Sequence, residues 1–128
     1  MDARIRILLR IIEERQGMLQ MSSRQIGSLL GIGEARTLRL FSAEVGKSLR
    51  RYLLEVRMAR AAELLNDGAL PIKMIAFHCG YSLVSNFCRD FKIVYGVSPM
   101  QMRVSEMNTR LCDRLSRIAE SSGDFIRV

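Results

Sequence analysis

Two stretches of this chain repeat each other around glycine breaks, and that repeat limits the possible folds more than any other feature. Ile26-Gly27, Gly31 and Ile32 match Ile75-Ala76, Gly80 and Tyr81 at one fixed offset. Arg39, Phe41, Gly46 and Ser48 then match Arg89, Phe91, Gly96 and Ser98 at an offset one residue longer. The second copy therefore carries one extra residue, in its turn or early in the helix that follows. Each copy reads as a short helix, a glycine turn, a second helix, a glycine stop and a serine cap. That is the pattern of a helix-turn-helix unit, present twice.

The rest of the chain fits around this repeat as helix. Asp2 can cap a first helix with Ile5, Leu8, Leu9 and Ile12 on one face, stopping at Gly17. Ser22 with Gln25 forms a capping-box pattern ahead of a short helix expected to turn Ile26, Leu29 and Leu30 inward. A third helix should run from Glu34 to Val45. Ser48 caps a long fourth helix with Leu49, Tyr52, Leu53, Val56, Ala59, Ala62 and Leu65 at helical spacing, ended by Asn66-Asp67-Gly68. Pro71 sits where a first helical turn tolerates proline. A helix then reaches Cys79, another spans Leu83 to Tyr95, and Ser98-Pro99 opens the last. No segment alternates as a strand does, so the fold should be all-α: two helix-turn-helix subdomains joined by a long linker helix, with a C-terminal amphipathic helix. The expected division is 1–47 for the first subdomain, 48–67 for the linker, 68–103 for the second subdomain and 104–128 for the extension. In that extension Met107, Leu111, Leu115 and Ile118 share a face that could fold back on the second unit or pair with a second chain, packing within the monomer being the expected outcome.

Charge locates the working surface. Lysine and arginine number 20 against 13 acidic residues, a net charge of +7. From Val104 onward the two signs balance, so the surplus lies entirely in residues 1–103 and points to a polyanionic partner there. The 3 cysteines (Cys79, Cys88, Cys112) are widely spaced and odd in number, which argues against a disulfide framework and for a reducing, cytoplasmic setting. No apolar run is long enough to cross a membrane. His78-Cys79 with Cys88 fits no zinc spacing, so no metal or other cofactor is expected. Cys79 reads as core and His78 as solvent-facing or a packing residue. With no phosphate loop, paired carboxylates or nucleophile–base set, an enzyme is not expected.

Particular residues add a family. Ile75-Ala76, Gly80-Tyr81, Phe87, Arg89, Phe91-Lys92, Gly96, Ser98-Pro99 and Arg103 in the second copy carry most of the match. Ile26, Gly31-Ile32, Arg39, Phe41 and Gly46 carry it in the first, and Tyr52-Leu53, Arg57, Ala61 and Leu64-Leu65 in the linker. In these positions, over roughly residues 5–103, the chain resembles the AraC/XylS family of bacterial transcription regulators. The resemblance implies binding to double-stranded DNA, activation of transcription through contact with RNA polymerase, and a separate effector domain in a longer protein; it leaves dimerisation open. The sequence departs from the family pattern at Gly27 (usually alanine), Thr37 (usually leucine), Asp90 (usually small or apolar) and Met102 (often aromatic). Gly27 and Thr37 predict a weaker first unit.

The repeat also assigns faces. Thr37, Leu40 and Phe41 correspond to Phe87, Asp90 and Phe91 and should face the cores; Asp90, the misfit, is expected at an edge, paired with a DNA base or a backbone donor. The base-reading set is Ala35, Arg36, Leu38 and Arg39 in the first unit and Val84, Ser85, Asn86, Cys88 and Arg89 in the second. Arg39 and Arg89 lead it, because a guanidinium matches guanine O6 and N7 in a bidentate fork. Ala35, Leu38 and Val84 suit thymine methyls. The expected phosphate neighbours are Ser22, Lys47, Ser48, Arg50, Lys73, Lys92, Ser98 and Arg103, with Arg51 beside them. The mostly apolar surroundings of Arg39 predict unequal stringency at the two half-sites.

Overall fold

The computed structural model describes residues 1–19, 21–66 and 68–121, and these residues hold seven α-helices and no strand. They are α1 (Ala3–Glu14), α2 (Ser23–Leu30), α3 (Glu34–Val45), α4 (Leu49–Leu65), α5 (Ile72–His78), α6 (Val84–Tyr95) and α7 (Pro99–Ser121). Local chemistry sets most of the boundaries. The Asp2 side chain accepts from the Arg4 backbone N–H, and Ser22 and Gln25 complete a reciprocal capping box. Ser98 and Gln101 form the same reciprocal pair at the start of α7. Pro71 lies one position earlier than expected, as the N-cap of α5. Asp67, part of the stop expected after α4, is outside the described residues.

The linker helix belongs to two cores at once. Ile5, Leu8, Ile12, Ile26, Phe41 and Leu49 form the first, with Tyr52, Leu53 and Val56 packed against it. Met58, Ala61, Leu65, Ile75, Ala76, Cys79, Phe87 and Phe91 form the second. At roughly 100° per residue, the two sets that α4 contributes point about 160° apart around its axis. The sequence suggested one continuous stripe ending in Ala59, Ala62 and Leu65. Instead Ala59 is exposed, while Met58 and Ala61 are fully buried, because the second unit docks on the opposite side of the helix. A one-face reading fails for a helix with a client on each side.

The extra residue of the second copy lies in its turn. From Gly31 the first unit reaches its next N-cap at Gly33, whereas from Gly80 the second passes Tyr81 and Ser82 before the N-cap Leu83. In the shorter turn Gly33 adopts φ 79° and ψ 163°, a region open essentially only to glycine. That conformation lays its backbone over Gly27: a Cβ there would sit 2.5 Å from both Gly33 C and Glu34 N. Gly27 is therefore required by the turn, and the expectation that it weakens the unit is reversed. Thr37 is likewise satisfied, fully buried with its hydroxyl donating to the Gly33 carbonyl at 2.6 Å.

Two apolar expectations are overturned. Leu29 is 67% exposed, because a helix of 8 residues has room for only one inward face, filled by Ile26 and Gly27. On α7, Met107, Leu111, Leu115 and Ile118 are all exposed, so this stripe is not covered by the described residues of the monomer. Among the α7 side chains whose burial is described, the buried ones are Pro99 and Arg103 at its beginning, and further along Arg110 donates to Asn66 Oδ1 at 2.8 Å.

Candidate nucleic-acid interface

On α3, Glu34, Ala35, Arg36, Arg39 and Ser42 are exposed together. On α6 the exposed counterparts are Val84, Ser85, Arg89 and Lys92. The structure thus turns both arginines outward from equivalent positions of equivalent helices. Leu38 and Cys88, also equivalent to each other, are half-buried and packed against the first and second core. They sit at the inner edge of each helix, less open than the arginines beside them. Asn86 is half-buried as well. Cys79 is buried, where burial pushes its thiol up, and His78 is exposed.

The helices meet around a cleft of about 780 Å³ along α4. Leu38 from α3, Asp90 and Ile93 from α6, and Arg50, Arg51 and Arg57 from α4 all line it. Residues of both second helices of the repeat therefore line one cleft along the linker, beside three of its arginines.

The phosphate candidates separate into three kinds. Ser22, Ser48 and Ser98 accept from the N–H of Gln25, Arg51 and Gln101, so each hydroxyl serves its own helix. Any phosphate contact there falls to the remaining backbone N–H groups of the first turn. Arg50, Lys73 and Lys92 are exposed. Lys47 instead reaches Glu55 Oε2 at 2.6 Å, and Arg51 Nε reaches Glu55 Oε1 at 3.0 Å. Hydrogen bonds from Lys47 and then Arg51 hold the Glu55 carboxyl below its usual range.

Arg103 leaves the phosphate set. It is 9% exposed and its Nη2 donates to the Leu70 carbonyl at 2.6 Å, tying α7 to the segment before α5. Replacing Arg103 with alanine should destabilise the domain by about 2 kcal/mol, the scale of a buried charge-assisted hydrogen bond. The salt dependence of DNA binding should not change, and a slope reduced by about 1 would return Arg103 to the phosphate set.

Asp90 is 20% exposed in its side chain, and its partner within the chain is a side chain rather than a backbone donor: Tyr81 donates its hydroxyl to Oδ2 at 2.6 Å. Arg57, which the sequence marked only as a family position, bridges the units. Its Nη2 donates to the Gly17 carbonyl at 3.3 Å, and its guanidinium lies 5.5 Å from the centre of the Tyr81 ring. Nothing in the sequence signals this contact, because Gly17, Arg57 and Tyr81 lie far apart along the chain.

Residues 26–105 match a protein family described as "Helix-turn-helix domain". The chain is 36% identical over 81 residues to an uncharacterised HTH-type transcriptional regulator of Haemophilus influenzae, covering 63% of this chain and 27% of that protein. A probable AraC family transcriptional regulator from Rhodopseudomonas palustris superposes with a TM-score of 0.68 at 26% identity, over 81% of this chain and 97% of the other. The chain belongs to the AraC/XylS family. The AraC-type fold is also that of the DNA-binding domain of AdpA, solved in complex with a target DNA, with a TM-score of 0.76 at 17% identity over 85% and 97% of the two chains. The chain spans 19–32% of the length of the first three curated relatives it matches. Among the described residues no helix is long and apolar enough to cross a membrane.

Proposed function

We propose that this domain binds duplex DNA by placing α3 and α6 in successive major grooves, and that in the whole protein this binding activates transcription through contact with RNA polymerase. The observation carrying the reading is the pair Arg39 and Arg89, exposed at equivalent positions on two helices that line one cleft along the linker. Each guanidinium is available for a bidentate contact to guanine O6 and N7. With 17 residues, α4 is roughly 26 Å long, against the roughly 34 Å that separates successive grooves on one face of DNA. One chain then reads two half-sites, and its site need not be palindromic. Exposed Ala35, Arg36, Val84 and Ser85 flank the arginines, while Arg50, Lys73 and Lys92 neutralise phosphates.

Selection of binding sites from random duplex DNA tests the reading and reports site length. Arg39→Ala and Arg89→Ala should each cost about 1–3 kcal/mol and relax preference at their own half-site. Lys73→Ala and Lys92→Ala should weaken every sequence alike and lower the salt slope by about 1 each. Equal losses confined to non-specific binding would exclude base reading by either arginine. Activation is checked by transcription from a promoter carrying the selected site, with RNA polymerase and the whole protein.

A further inference from the structure

The second unit holds an acidic residue where the first has an apolar one, and its surroundings give that residue a task. We propose that Asp90 is a positioning residue that fixes the Arg89 guanidinium for base reading, making the second half-site the more stringent; this rests on Arg89 being a base reader. The two carboxylate oxygens are used separately. Oδ2 accepts the Tyr81 hydroxyl at 2.6 Å, and Oδ1 faces Arg89 Nε at 3.5 Å. This is an ion-pair contact on the Nε side of the guanidinium, and the two terminal Nη groups are the donors that guanine O6 and N7 require.

The anchor is itself held. The Tyr81 ring meets Phe87 edge-on at 5.5 Å and has the Arg57 guanidinium 5.5 Å from its centre on the linker helix. Burial, followed by the hydrogen bond to Asp90, pushes the phenol up to about 12, so it remains a donor at neutral pH. Arg89 is 66% exposed in its side chain, and a long exposed arginine loses rotamer freedom when it binds a base. A fixed carboxylate beside Nε removes part of that cost beforehand, as pre-organisation does in any complex. In the first unit the equivalent position is Leu40, packed against the first core and without an acceptor for Arg39. The chain thus contains its own control.

The test uses the duplex recovered by selection, with guanines of each half-site replaced in turn by 7-deazaguanine, which lacks the N7 acceptor. Asp90→Asn keeps an acceptor for Tyr81 and removes the charge facing Arg89. It should lower the guanine preference at the second half-site about two- to fivefold, the effect of one partly exposed charge pair. Preference at the first half-site should not change, and non-specific affinity should hold or rise, since an anionic group near the phosphates is lost. Tyr81→Phe, which keeps the carboxylate but frees it, should act in the same direction. In an Arg89→Ala background, Asp90→Asn should have no further effect on preference. If Arg89→Ala abolishes the preference while Asp90→Asn and Tyr81→Phe retain it, the positioning role is overturned and base reading stands. An equal loss at both half-sites would also overturn it, by showing a general effect on the fold. If Arg89→Ala itself retains the preference, base reading fails and the positioning role with it.

Discussion

Gly17→Ala should be the most damaging single methyl in the described structure, destabilising the domain by about 3–5 kcal/mol. Two costs combine. Gly17 sits at φ 80°, where a Cβ meets its own backbone, and strain in this region costs about 1–3 kcal/mol. The added Cβ would also lie 2.8 Å from the Leu53 carbonyl oxygen and 3.0 Å from Arg57 N. Both are backbone atoms in the middle of α4, so no side-chain rotation relieves the contact. The Gly17 carbonyl, which accepts from Arg57, would be displaced with it. Urea unfolding followed by circular dichroism measures the effect, and a midpoint within error of the parent would show that the α1–α2 connection does not lie against the linker.

Gly27→Ala should destabilise by about 2 kcal/mol, although alanine is the better helix former by about 1 kcal/mol. The sign is what makes this informative. Gly27 lies inside α2 with ordinary helical backbone, so propensity alone favours the substitution. The added methyl would instead meet Gly33 C and Glu34 N at 2.5 Å and the Gly33 oxygen at 2.7 Å. The Gly27 carbonyl also accepts from both Ile32 N and Gly33 N at 3.2 Å, so the turn cannot move away without losing those bonds. At the equivalent place in the second unit, Ala76 is accommodated and buried, and there the turn is one residue longer. An increase in melting temperature for Gly27→Ala would mean that the two glycines are not in contact.

The two predictions fall where local reading and tertiary structure part company. Gly31, Gly46, Gly80 and Gly96 were legible because each ends a run of helical periodicity, and all four take positive φ. Gly27 was not, since nothing local distinguishes a helical glycine that admits a neighbouring backbone from one that merely lowers propensity. Arg39 and Arg89 were found by their place in the repeat. Arg103, within the same family pattern, was assigned to phosphate because sequence reports a charge and not its burial. The stripe on α7 shows the same limit, since periodicity reveals an apolar face but not whether the chain covers it.

The sequence by itself determined the all-α class, the duplicated unit, the length of the linker and the position of the two leading arginines. These follow from short-range rules: helical period, caps, and glycine where the chain must turn. Only the tertiary structure decided that α4 serves two cores on opposite faces, that Gly27 and Gly33 interlock, that Arg103 is buried, and that Asp90 is held by Tyr81 beside Arg89. Each of those depends on which surfaces meet in the folded chain, and such a contact leaves no trace in the helical period, caps and glycine positions that a local reading uses.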